Sequence, residues 1–157
     1  MIGLDRGEKG GLIIALGMIL FTFLGFTFRA NYWLEVSQMD VRSAEYGDPI
    51  FVDYSRDIKR DFTGIRRVKI HRSVGDQRWA VVCTTTGRLQ TFTHDEEPPV
   101  PTTLRWLADG EKDCFELPVG TYRATVAWDI NPFGFKSLFF YRSIENVDLF
   151  SVTEPMK

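Results

Sequence analysis

Acidic side chains and a histidine lie at two places in the sequence where metal binding or acid–base catalysis is chemically feasible. His94–Glu97 reads His-Asp-Glu-Glu, so an imidazole stands beside three carboxylates. Asp53, Asp57 and Asp61 recur every four residues, and paired carboxylates can share acid–base work. The sequence contains no nucleophile elbow, no phosphate-binding glycine loop and no CxxC or HExxH pattern.

Both acidic segments have a simpler interpretation. Pro98–Pro101 follows the His94 segment directly, and an acidic, proline-rich connection is typical of a solvated loop. Arg56, Lys59 and Arg60 are interleaved with the three aspartates, and charges of mixed sign favour a solvated or salt-bridged edge. We therefore expect no catalytic residues, no metal site, no cofactor and no small-molecule substrate.

The overall charge is close to balanced in this chain of 157 residues. Lys and Arg together number 19 and Asp and Glu 21, for a formal charge of −2. A nucleic-acid-binding protein would normally present a basic face, so no nucleic-acid partner is expected. Aromatic residues make up 14% of the chain, enough to fill the core of one domain.

An apolar segment without charges, residues 10–28, precedes Arg29, Tyr32 and Trp33. As a helix it would reach about 28 Å, close to the thickness of bilayer hydrocarbon. Its length and composition predict a transmembrane helix, with Arg29, Tyr32 and Trp33 at the membrane interface and the lipid bilayer as a partner. A cleaved signal peptide is the alternative, but Phe28-Arg29-Ala30 lacks the small residues of a cleavage site.

The predicted topology is a single-pass signal-anchor with a cytoplasmic N-terminus. Arg6 and Lys9 precede the apolar segment, and a long chain follows it. The predicted divisions are a cytoplasmic head (1–9), the transmembrane helix (10–28), a juxtamembrane stalk (29–48) and a β-domain (49–157), which would be periplasmic in a bacterium. Outside the cytosol, Cys83 and Cys114 are expected to form a disulfide; two unrelated buried thiols are the alternative.

From residue 49 onward, short apolar runs alternate with turn residues, a pattern of antiparallel all-β domains. Residues 79–83 are apolar without alternation, which indicates a central strand covered on both faces. Tyr122, Ala124, Val126, Trp128 and Ile130 alternate with polar residues and predict a half-buried strand. The predicted strands are 50–54, 65–72, 78–84, 88–93, 103–107, 121–130, and one or two within 137–152.

The loop expected after that long strand is rich in phenylalanine. Phe133, Phe135, Leu138 and Phe139 follow Asn131-Pro132, and exposed apolar clusters tend to be contact sites. They are candidate interaction residues; alternatively, residues 138–141 form a further core strand.

Leu117-Pro118-Val119-Gly120-Thr121-Tyr122 resembles the tyrosine corner of immunoglobulin-like sandwiches, with Gly120 and Tyr122 in its key positions. The resemblance implies an immunoglobulin-like antiparallel β-sandwich; a small β-barrel is the alternative. The chain is also similar in outline to short membrane-anchored sandwich proteins of Gram-negative bacteria and their phages.

These features favour a non-enzymatic protein that presents an immunoglobulin-like domain for contact with other membrane or assembly proteins. It would be an accessory or structural subunit of a larger membrane assembly. A virion or phage-encoded membrane component and a membrane-tethered enzyme are the two alternatives.

Overall fold

The structure is a computed structural model, and it describes residues 11–20, 30–131 and 142–155. Its largest element is a six-stranded sheet in which β2, β8, β7, β4 and β5 are neighbours in that order, while β6 also pairs with β4. The pairing of β2 with β8 is parallel, and the other pairings are antiparallel. The strands are β2 (Ala44–Glu45), β4 (Phe62–Ser73), β5 (Trp79–Thr86), β6 (Gln90–Phe92), β7 (Gly120–Asn131) and β8 (Arg142–Thr153).

A second sheet contains two antiparallel strands, β1 (Leu34–Val41) and β3 (Val52–Ile58). The domain also contains two 3-10 helices, at Ala30–Tyr32 and Lys112–Cys114, and a short α-helix, α1 (Leu104–Leu107). Thr103 caps α1 because its hydroxyl accepts a hydrogen bond of 3.3 Å from the backbone N–H of Trp106.

The hydrophobic core lies on the inner face of the six-stranded sheet, against the two-stranded sheet and α1. Alternate residues of β4 and β7 point inward, and the largest fully buried side chains include Trp128, Tyr122, Phe92, Ile70 and Leu107. The predicted inner face of the strand at 121–130 is confirmed, since all five of its predicted members are buried. Because every second residue of these strands is buried, the opposite face of each strand lies outside the core.

The prediction of a transmembrane helix over residues 10–28 is wrong. Within the described ranges, no helix is long and apolar enough to cross a membrane. Residues 11–20, the part of that segment that the structure describes, are helical. The single-pass topology, the cytoplasmic head and the periplasmic position of the domain depended on that helix and are withdrawn with it.

Two of the three residues assigned to the membrane interface, Tyr32 and Trp33, make contacts within the domain. The guanidinium carbon of Arg60 lies 3.8 Å from the centre of the Tyr32 ring, and Arg60 donates a hydrogen bond to the Tyr32 hydroxyl. The Trp33 ring stands edge-on to Tyr32 at 5.6 Å and packs against the core. Arg29 lies outside the described residues.

The stalk predicted over residues 29–48 is also wrong, because β1 and β2 lie within it. Leu34 and Val41, at the two ends of β1, are buried in the core. Between them the pairing with β3 shifts register at Val36/Gln38. This bulge moves the inward positions from even to odd residue numbers, so the strand lacks a continuous alternation in the sequence.

Two further expectations about the β-domain need correction. An immunoglobulin-like sandwich divides its strands between two sheets of similar size, whereas the described residues of this chain place six strands in one sheet and two in the other. The strand predicted at 103–107 is the helix α1, because the Thr103 cap favours a helical turn there.

Candidate protein-binding surface

The outer face of the six-stranded sheet is built from the odd-numbered residues of β4, β7 and β8. Two cross-strand rows define it. Leu149, Arg123, His71 and Val81 form the first row, and Val147, Thr125, Lys69 and Thr84 form the second. Because β5 is the last strand in the sheet order, these rows run from near one edge of the sheet to the other.

Large apolar side chains are exposed on this face. Val81, Val147 and Leu149 retain 56%, 54% and 58% of their accessible surface. The exposed side of an antiparallel sheet is normally polar, and exposed apolar groups rimmed by polar ones mark contact sites. We call Trp79, Val81, Val147 and Leu149, with Lys69 and Arg123, the outer patch.

The outer patch is also basic. The guanidinium carbon of Arg123 lies 5.0 Å from the centre of the Trp79 ring, so the two side chains form one flat cationic and aromatic surface. Arg67, which lies farther along β4, is already paired with Asp129, with 2.8 Å between Nη2 and Oδ1. Neither cross-strand row contains a carboxylate, so Arg123 and Lys69 leave this part of the face positively charged.

His71 lies between the two cations. Burial and the charges of Arg123 and Lys69 lower the pKa of its imidazole. The ring is therefore neutral at pH 7, since an ordinary histidine is already mostly neutral there. The neutral ring adds no third positive charge beside Lys69 and Arg123.

The outer patch was not predicted, because the apolar run at 79–83 was assigned to a central strand covered on both faces. That prediction is wrong: β5 is an edge strand, and Val81 and Val82 are exposed. The apolar run itself was visible in the sequence. Whether its side chains are covered depends on the position of the strand in the sheet, and the residues of one strand do not determine that position.

Two buried arginines form a second unusual cluster, on the inner face. The side chains of Arg56 and Arg66 are only 1% and 4% exposed, and both guanidinium groups lie within 6 Å of the Trp106 and Trp128 rings. Their acidic partners, Glu96 and Asp109, are more exposed.

The hydroxyl of Tyr54 lies beside this cluster, and burial raises the pKa of Tyr54 to about 12. Two guanidinium nitrogens here, Arg56 Nε and Arg66 Nε, have no hydrogen-bond partner among the described residues. The sequence analysis assigned Arg56 to a solvated or salt-bridged edge and did not single out Arg66. Both arginines lie at the inward-facing positions of strands whose other inward residues are mostly apolar.

The structure contains the expected disulfide between Cys83 and Cys114, with the two Cα atoms 5.2 Å apart. It joins the edge strand β5 to the 3-10 helix at Lys112–Cys114. The tyrosine corner is present as a local contact: the Tyr122 hydroxyl donates a 2.5 Å hydrogen bond to the carbonyl oxygen of Pro118, although the surrounding fold is different.

The four predicted interaction residues, Phe133, Phe135, Leu138 and Phe139, lie outside the described residues. In the described part of the chain, no three His, Cys, Asp or Glu side chains are placed to hold a metal ion. His94 instead pairs with Asp95 at 2.6 Å, and Asp53 pairs with Arg42. Asp61 accepts a hydrogen bond from the backbone N–H of His94.

The chain was compared with protein-family models, with curated proteins and with solved structures, and none of the three comparisons produced a match.

Proposed function

We propose that this protein has no catalytic activity and binds another protein through the outer patch, as an accessory or structural subunit of a larger assembly. The observation that supports the proposal is the exposure of Val81, Val147 and Leu149 on one sheet face. Covering an exposed aliphatic side chain is favourable. Because each of the three retains about half of its accessible surface, burial of the rest contributes about 1 kcal/mol per side chain.

The outer patch is suited to be the centre of an interface. Specific protein complexes bury about 1,200–2,000 Å² in total, which is more than three aliphatic side chains provide. The apolar residues and Trp79 would therefore form the buried centre, and exposed polar residues beside them, such as Thr84, would form the rim.

Charge indicates the chemistry of the partner. Lys69 and Arg123 lie among the apolar side chains and have no carboxylate neighbour in their cross-strand rows. A partner surface that combines apolar and acidic side chains would cover the exposed apolar side chains and neutralise Lys69 and Arg123. We infer a partner of that composition.

The proposal is tested by gentle extraction of the full-length chain from the cells that produce it, followed by mass spectrometry of the co-purifying chains. The double variant Val147→Ser/Leu149→Ser should reduce retention of the partner at least tenfold. Its unfolding free energy should change by less than about 0.5 kcal/mol, because both side chains are exposed. Val100→Ser is the matched control, since Val100 is 92% exposed in a loop.

Two results would contradict the proposed function. One is purification of the unaltered chain alone as a monomer. The other is equal retention of the same partner by the double variant and by Val100→Ser, which would place the contact on another surface.

A further inference from the structure

A cavity of about 500 Å³ lies at the end of the fold where β2, α1 and the segment after the second 3-10 helix meet. Its volume falls within the range of small-ligand sites. The turn that forms one wall passes through Gly47, whose φ of +95° is a conformation that favours glycine. This cavity is separate from the outer patch, because the side chain of Val152 that reaches it points to the inner face of β8.

The base of the cavity is apolar and its sides are aromatic. Ile50, Leu117 and Val152 line it and are each buried against the core. Tyr46 and Phe115 also line it, and Tyr46 is exposed. An apolar base of this kind favours a ligand that carries an aliphatic stem, since water there gains few hydrogen bonds.

The charges around the cavity are mainly negative. Glu45, Asp48 and Glu116 line it, against one cation, Arg105. Glu116 makes only a distant ion pair, 4.0 Å from Lys112. The three carboxylates are not close enough together to hold a metal ion. They are spread around an apolar base, an arrangement that suits a larger organic cation.

The chain itself already places a cation against one of these rings. The guanidinium carbon of Arg105 lies 5.4 Å from the centre of the Phe115 ring in the wall of the cavity. The Tyr46 ring is exposed and follows Glu45 directly in the chain, so a second cation from outside the chain can reach it.

We propose that this cavity binds an ammonium or guanidinium group on an aliphatic stem. The stem would cover Ile50 and Leu117, and the charged group would lie among the carboxylates against Tyr46. A lysine or arginine side chain of a protein and a free alkylamine share this chemistry. The inference goes beyond the proposed function, since the outer patch calls for an acidic partner and this cavity for a basic group.

The test is calorimetric titration of the full chain with N-acetyl-arginine methylamide, with its uncharged citrulline analogue, and with butylamine. Saturable binding of the arginine compound, at least tenfold tighter than the citrulline compound, is expected. The double variant Glu45→Gln/Glu116→Gln should weaken binding about tenfold, and Tyr46→Ala should weaken it as well. Glu97→Gln is the matched control, since Glu97 is an exposed carboxylate outside the cavity.

Binding of the arginine compound but not butylamine would indicate that the site selects a guanidinium side chain with flanking peptide groups, as a protein ligand provides, and binding of butylamine as well would extend the site to free amines. Equal binding of the citrulline compound, no binding of either cation, or unchanged binding by the double variant would overturn the proposal. Val147→Ser/Leu149→Ser should leave this titration unchanged, so failure of the cavity proposal can be distinguished from failure of the proposed function.

Discussion

At the scale of single residues, the most demanding interactions are those of the buried arginines. Arg66 donates hydrogen bonds to Asp109 and, at 2.9 Å, to the carbonyl oxygen of Trp106. Its guanidinium carbon lies 4.5 Å from the centre of the Trp106 ring. Burial lowers the pKa of Arg66, while Asp109 opposes that effect. A buried guanidinium of this kind depends on each partner it has.

Asp109→Asn should therefore destabilise the protein by about 2 kcal/mol, less than for a fully buried pair because Asp109 is partly exposed. Asn tolerates the positive φ of 52° at this position, so the change removes mainly charge. Urea denaturation measures the effect.

The control for that substitution is Asp95→Asn. Asp95 also has a positive φ, 66°, but its side chain is exposed, and within the described ranges its ion-pair partner is His94. Its replacement should change the unfolding free energy by less than about 0.5 kcal/mol. Equal effects of the two substitutions would show that the Arg66–Asp109 pair does not stabilise the fold.

Tyr54 predicts a pH dependence. Its pKa is raised by burial from 10.0 to about 12 in the folded protein, so its contribution to stability is complete below pH 10. That contribution is lost as pH rises toward 12, because the unfolded chain releases the proton first. Between pH 9 and 11.5, the unfolding free energy should fall more steeply for the unaltered protein than for Tyr54→Phe, by roughly 2 kcal/mol. Parallel curves would contradict this account.

At the scale of elements, the Tyr122 contact holds the start of β7 to the segment before it. The ring is fully buried and stacks on Phe150 at 5.5 Å, while its hydroxyl reaches the carbonyl of Pro118. The contact spans four residues in sequence, so it needs only a local turn. A motif known from immunoglobulin-like domains can therefore occur here without their strand arrangement.

Tyr122→Phe should cost about 1–2 kcal/mol of unfolding free energy, because it removes one buried hydrogen bond and leaves a carbonyl unpaired. The dependence of that free energy on urea concentration should stay the same, since the same surface is exposed on unfolding. Tyr46→Phe, at an exposed tyrosine, should have no measurable effect. A similar loss in both variants would argue against a role for the Pro118 contact.

The disulfide fixes the edge of the large sheet. Cys83 and Cys114 are 31 residues apart in sequence, so on the chain-entropy model the bond contributes roughly 3–4 kcal/mol. Cys83→Ser/Cys114→Ser should lower the urea midpoint by the corresponding amount. Reducing agent should lower the midpoint of the unaltered protein similarly and leave that of the double variant unchanged. An unchanged midpoint for the double variant would contradict the estimate.

A strand could be predicted from the sequence where its own residues alternate regularly between apolar and polar side chains. The burial pattern of β7 follows directly from its alternation. β1 was missed because its bulge changes the inward parity between Val36 and Gln38. α1 was missed because its four residues, three apolar and one arginine, fit a strand as well as a helix. The inward parity of Arg66 was visible, but an arginine on an apolar strand face is ordinarily assigned to the surface.

At the scale of the whole molecule, two surfaces of opposite charge lie on different sides of the large sheet. The outer patch carries Lys69 and Arg123 with exposed aliphatic side chains, and the cavity carries three carboxylates over an apolar base. Neither could be predicted from the sequence, because each is assembled from distant segments. The outer patch joins β4, β5, β7 and β8, and the cavity joins residues 45–50 to 103–117 and Val152.

The most direct test of the central claim is site-specific photo-crosslinking of the full-length chain in the cells that produce it. A photoreactive phenylalanine at position 147 or 149 should give a crosslink to the same single protein, at a segment that combines apolar and acidic residues. The same group at position 100, in the exposed loop, should not reach that protein. No crosslink from 147 and 149, or the same crosslinked protein from all three positions, would contradict the assignment of the outer patch as the binding surface.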